Sequence, residues 1–163
     1  MLLVQLPVPA LDALVAGDLD TAREVTGAPL TPYFVEQGWL WRIRAEQVRR
    51  DPASLAWIAR AAMLGPDGPA VGHVGFHGPP DEAGMVEVAY SVDPAHRRQG
   101  HATTMLRTAL AWAADDPSVH VVRASISPDN VASLATIRPF GFAHVGEQWD
   151  EEDGLELLYE RQV

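Results

Sequence analysis

The stretch from residue 85 to residue 127 constrains the architecture more than any other. In MVEVAYSVD (85–93), Val86, Val88, Tyr90 and Val92 alternate with Met85, Glu87, Ala89 and Ser91. That is the period of a strand with one buried face, and it puts Glu87 on the face opposite the valines. From 101 to 114 the period changes, because Ala102, Met105, Leu106, Ala109, Leu110 and Ala113 form one apolar stripe at spacings of three and four. This segment reads as a helix packed by one side. Asp115, Asp116 and Pro117 stop it, and VHVVRASIS (119–127) returns to strand character. A strand, a helix and a second strand need a crossover, which makes the two strands parallel. The chain is thereby placed in the α/β class, with a mixed sheet carrying helices on its faces.

Other elements arrange themselves around this unit. Leu11, Leu14 and Val15 mark a helix before Gly17, and Leu40, Ile43 and Val48 mark a second, broken pattern within 32–50. Tyr33, Phe34, Trp39 and Trp41 fall in this region, as core aromatics or as the rim of a substrate mouth. A dense apolar run at 55–64, the turn residues GPDGP at 65–69 and AVGHVGFH at 70–77 predict a β-hairpin. PDNVASLATIR (128–138) predicts a short helix left through PFGF, and 143–161 predicts two strands joined by DEEDG at 150–154, a solvated hairpin tip. No linker or repeat interrupts the 163 residues, so residues 1–163 form one domain.

Composition excludes several classes of function. With 12 Lys and Arg against 22 Asp and Glu, the net charge of −10 leaves no continuous basic surface for nucleic acid. Cysteine is absent, which removes disulfides, thiolate metal sites and a cysteine nucleophile. His73 and His77 are four residues apart, which on a strand separates them by roughly 13 Å, so they cannot share a metal ion and none is expected. His77, near the end of that strand, faces either the acceptor or the surface. No apolar run approaches the ~18 residues of a membrane span. The leading MLLVQLPVPALDALVAGD lacks a basic start and is broken by Pro7 and Pro9, unlike a signal peptide. The default expectation is a cytoplasmic protein.

The join VDPAHRRQGHA (92–102) holds two arginines, a glutamine and a glycine between strand and helix. The first amides of a helix lack internal partners and lie at the positive end of its dipole, so such a junction suits a phosphate. Arg97 and Arg98 add matching charge. Neither the nucleoside-triphosphate loop, with its Gly-Lys pair, nor the dinucleotide G-x-G-x-x-G is present.

What is present is R-x-x-G-x-A, as Arg97, Gly100 and Ala102, followed downstream by DNVASLATIRPFGF, with Asn130, Ser133, Gly141 and Phe142. The two segments together resemble the GNAT superfamily of N-acetyltransferases, especially the branch of ribosomal-protein N-terminal acetyltransferases. The resemblance implies a central, mostly antiparallel sheet with a splayed parallel pair and helices on both faces, and acetyl-CoA as the acetyl donor. It assigns the pyrophosphate to Arg97, Arg98, Gln99, Gly100, His101, Ala102 and Thr103, with His101 offering its amide rather than its imidazole. It assigns the pantetheine arm to the backbone of Tyr90, Ser91 and Val92, with Asn130 contacting that arm from the next helix.

Acetyl transfer needs a neutral amine, a donor for the developing oxyanion and a proton for the departing thiolate. Glu87 is the candidate base, directly or through a water, and a backbone N–H freed at the splay can serve the oxyanion. The resemblance breaks at the third need. Ile137 stands where many members carry a tyrosine, Pro139 stands where a lysine is usual, and Ser133 is left as the candidate acid or water-ordering group. The acceptor is left open among a protein or peptide α-amine, a polyamine, an amino acid and an amine antibiotic. Exposed strand edges at the C-terminus suit a homodimer. The alternative function is a non-catalytic acyl-CoA sensor or interaction module on the same fold.

Overall fold

The three-dimensional structure, a computed structural model, describes residues 1–151 and 154–163. In chain order it runs β1 (Leu2–Val4), α1 (Val8–Val15), α2 (Leu19–Thr26), α3 (Pro32–Glu36), α4 (Gly38–Arg50), β2 (Arg60–Met63), β3 (Ala70–Phe76) and β4 (Met85–Val92). It continues through α5 (His101–Ala114), β5 (Val121–Ile126), α6 (Val131–Ile137), β6 (Ala143–Asp150) and β7 (Gly154–Gln162). Among the described residues the strands make one sheet in the order β1-β2-β3-β4-β5-β7-β6. Every neighbouring pair is antiparallel except β4 and β5. None of the described helices is long and apolar enough to cross a membrane.

The N-terminal third holds more structure than its periodicity indicates. Leu2–Val4 pairs with β2 as an edge strand, too short to show alternation before Pro7. α2 buries only Ala22 among its eight residues, so it has almost no apolar stripe to read. Its ends are nonetheless defined, since the Asp18 side chain accepts from the Thr21 N–H at 3.0 Å and Gly27 closes the helix in left-handed conformation. The first strand of the expected hairpin is shorter than its apolar run. Pro52–Ala56 winds into a 3₁₀ turn capped by Asp51, and only Arg60–Met63 joins the sheet. Of the acidic tip at 150–154, Glu152 and Asp153 lie outside the described residues.

Each face of the sheet carries its own core. Leu11, Leu14, Phe34, Trp41 and Ile58 pack with Ala61 and Met63 of β2 on one side. Ala62 of β2 turns to the other, joining Val74, Val86, Val88, Met105, Leu106 and Ile137 under α5 and α6. β4 is pressed against β3 so closely that a Cβ on Gly72 would lie 2.9 Å from the Val92 Cα, so only glycine fits there.

The parallel pairing of β4 and β5 is brief. It covers Met85↔Val121, Val86↔Val122 and Glu87↔Arg123. Beyond that point β4 stays with β3 as far as Gly72↔Val92, and β5 stays with β7 as far as Ile126↔Leu157. Each strand is held by its outer neighbour while the inner edges part. A cleft opens in the middle of the sheet.

Candidate active site

Two cavities meet in that cleft. One, of about 280 Å³, is lined by His77, Glu87, Ser125 and Glu156 among others. The second, of about 500 Å³, lies along the end of β4 and the start of α5. Tyr90, Asn130 and Ser133 line both.

The larger cavity is shaped by the join between β4 and α5. Asp93 is buried and fixes the turn, its carboxylate accepting from the Thr31 hydroxyl at 2.7 Å and from the Ala95 N–H at 2.9 Å. Arg97 folds back so that its Nε donates to the Val92 carbonyl at 3.1 Å. Arg98 follows at φ +58°, and it alone among the described non-glycine residues has a positive φ. Such a conformation costs about 1 kcal/mol or more in an L-residue, and strain of this kind gathers at binding loops. Gly100, at φ +80°, is the N-cap of α5 and supplies no side-chain cap. The amides of His101, Ala102 and Thr103 therefore open the helix without an internal partner, in residues that line the cavity. The His101 Nε2 is buried there with no hydrogen-bond partner.

The predicted cofactor residues divide accordingly. Arg97, Arg98, Gly100, His101, Ala102 and Thr103 line the larger cavity with Tyr90, Ser91, Val92 and Asn130. Gln99 is exposed and does not line it. The Ser91 hydroxyl is engaged by the Tyr33 hydroxyl at 2.5 Å, so Ser91 offers the cleft its backbone. Asn130 caps α6, its Oδ1 accepting from the Ser133 N–H at 3.0 Å, which leaves its Nδ2 to point elsewhere. These open amides, the arginines and the orphaned imidazole nitrogen have the chemistry to hold a pyrophosphate group.

The smaller cavity is acidic. Glu87 faces away from the buried Val86 and Val88 and is about a quarter exposed. His77 follows β3 directly. Its N–H donates to the Glu87 carbonyl at 2.9 Å, and its Nδ1 stands 3.8 Å from Glu87 Oε1. Its carbonyl accepts from Gln47 Nε2 at 2.6 Å and Arg44 Nη1 at 3.2 Å, which ties α4 to the rim. Burial lowers the His77 imidazole below its ordinary value, Glu87 and Glu156 oppose that, and Arg44 adds to it. The ring is neutral at physiological pH, able to accept a proton.

His73 has a different fate from His77. It is buried in an aromatic cage, stacked on Tyr33 at 6.1 Å with the Trp41 ring edge-on at 5.0 Å, and burial pushes it down to about 4. Arg44 and Glu156 were not legible as site residues. Arg44 is solvent-like in sequence, and Glu156 reaches the cleft only because β7 returns beside β5. Among the described residues no group of three His, Cys, Asp or Glu side chains is placed to hold a metal ion.

The comparisons with known proteins agree with this geometry. A family model described as "Acetyltransferase (GNAT) domain" matches residues 2–143. A curated relative, the uncharacterized N-acetyltransferase YjdG of Bacillus subtilis (strain 168), is 35% identical over 72 residues, 44% of this chain. The matched segment spans only 43% of that relative's length. A ribosomal-protein-alanine N-acetyltransferase from Brucella melitensis superposes over the whole of both chains with a TM-score of 0.63 and 26% identity. A chimera of the spermidine N-acetyltransferase SpeG from Vibrio cholerae and hSSAT superposes over 99% of this chain and 96% of its own, with a TM-score of 0.68 and 16% identity.

Proposed function

The chain belongs to the GNAT acetyltransferase family, and from that premise we propose that it moves an acetyl group from acetyl-CoA to a primary amine by direct attack, both substrates occupying the cleft together. The observation that carries this reading is the meeting of an amide-lined cavity and an acidic cavity at Tyr90, Asn130 and Ser133, where the parallel strands part. One cavity suits the donor and the other the amine.

Acetyl-CoA supplies an activated thioester carbonyl and a thiolate leaving group. The residues of the chain do the rest. His101, Ala102 and Thr103 bind the pyrophosphate through their amides, with Arg97 and Arg98 alongside and Gln99 outside the lining. The freed backbone of Tyr90, Ser91 and Val92 lies along the arm, and Asn130 reaches it from α6. A β4 amide released beyond Glu87 is placed to donate to the oxyanion. Glu87, assisted by the neutral His77, takes the proton from the attacking amine.

The acceptor side carries Glu87 and Glu156, which favours a cationic amine partner over an acidic one. The likeness to a ribosomal-protein-alanine N-acetyltransferase makes a peptide α-amine the first acceptor to test, and a polyamine the second. Initial velocities with both substrates varied check the route. Intersecting lines are expected, whereas parallel lines with an acetylated enzyme would overturn direct attack. Binding of acetyl-CoA without turnover of any amine would favour a sensor module instead.

A further inference from the structure

Among the cleft groups still without a role is the phenol of Tyr90, which lines both cavities. Its oxygen is buried and makes no hydrogen bond of full geometry, the hydroxyls of Ser133 and Thr136 standing close enough only to influence it. A buried hydroxyl so weakly satisfied costs stability that a phenylalanine would not. Tyr90 stands three residues past Glu87, where pairing with β5 has ended, and its side chain lines both cavities. Across from it on α6 are the hydroxyls of Ser133 and Thr136. Ile137, in contrast, is 3% exposed and packed into the core with Val86 and Leu106, so that position of α6 presents no proton donor to the cleft.

We infer that Tyr90 is the proton donor to the departing thiolate, the strand supplying the phenol that the last helix lacks. The inference rests on the acetyl-transfer reading above. As the amine nitrogen bonds to the acetyl carbon and the carbon–sulfur bond breaks, the nitrogen's proton passes to Glu87 and the phenol's proton passes to sulfur. Once the products leave, Glu87 gives its proton to solvent and the phenolate regains one from it. Burial raises the phenol above its ordinary value, with Ser133 and Thr136 pulling it partway back, so it is protonated throughout the physiological range. Ser133 is a far weaker acid than a phenol, and its place beside Tyr90 suits orienting the ring oxygen.

Tyr90→Phe tests this in two independent ways. The first readout is the ultraviolet absorbance of the thiolate of bound CoA, titrated with no acceptor present. A phenol donating to sulfur stabilises the thiolate, so the substitution is expected to raise the bound thiol's pKa by about one unit. The second is turnover. With acetyl-CoA, kcat falls about 10- to 100-fold with KM little changed, while an acetyl thioester of an acidic aryl thiol, which leaves without a proton, reacts at the wild-type rate. Fluorotyrosine at position 90 keeps the shape and lowers the phenol pKa, so it moves the thiol titration even where the phenylalanine variant folds poorly. An unchanged thiol titration with unchanged kcat overturns the inference. If wild-type protein binds CoA but acetylates no amine, the acetyl-transfer reading falls, while the titration still decides whether Tyr90 touches the sulfur. If CoA does not bind at all, both fall.

Discussion

His77 Nδ1 and Glu87 Oε1 face each other at 3.8 Å on the side of β4 away from its buried valines. The carboxylate raises the imidazole's proton affinity while burial and Arg44 lower it. In Glu87→Gln the opposing charge is lost, so the His77 pKa moves further down, which a titration of its ring resonances by NMR measures directly. The same substitution is expected to lower kcat by about 10²-fold and to leave CoA affinity unchanged by calorimetry. An upward shift of the His77 pKa, or full activity in the variant, contradicts the pairing.

Gly100 combines a positive φ with open space, since a Cβ there meets nothing within 4 Å. Gly100→Ala therefore strains the backbone without a clash, at a cost of about 1 kcal/mol in a denaturant titration. The added methyl also stands at the mouth of the free amides of α5, so CoA affinity falls about tenfold. Lost stability with wild-type CoA affinity would remove the helix N-terminus from the binding site.

The end of β4 is anchored from the start of α3. The Thr31 hydroxyl donates to the buried Asp93 carboxylate at 2.7 Å. Thr31→Val leaves that oxygen unsatisfied, and a loss of 1–3 kcal/mol is expected on thermal or chemical unfolding. A neutral result would mean that Ala95 alone holds the turn.

Acid stability reports on His73. Its folded pKa of about 4 lies below the ordinary 6.5, so between those values the unfolded chain binds a proton that the folded chain refuses. Stability is complete above pH 6.5 and falls as pH drops toward 4, by up to ~3 kcal/mol from this residue. His73→Phe, which keeps a ring in the aromatic cage, flattens that limb in urea midpoints measured at pH 7 and pH 4.5.

The sequence made the strand–loop–helix unit legible because two periods change there in plain view: valines alternate to Val92, and the stripe from Ala102 to Ala113 begins at a glycine. The glycine and arginine pattern falls on residues that line the larger cavity. α2 was not legible because a helix that buries only Ala22 carries no stripe, and β1 because three residues show no alternation. Gln99 sits in the motif yet does not line the cavity, since spacing along a loop does not fix which residues face it. Tyr90 is legible in the sequence only as backbone for the cofactor arm, its side chain falling in the valine row. Nothing local records that β5 leaves β4 after Glu87↔Arg123, and that departure is what turns an apolar position into a phenol facing a cleft.

Acetyl transfer to an amine is tested most directly by mass spectrometry. The protein is incubated with acetyl-CoA and a panel of peptides with free α-amines, polyamines and amino acids, and acetylated product is counted against CoA released. The expected result is one acetyl group on one class of amine for each CoA formed, with no acetyl group on the protein. CoA bound in the cleft while every amine stays unmodified would contradict it.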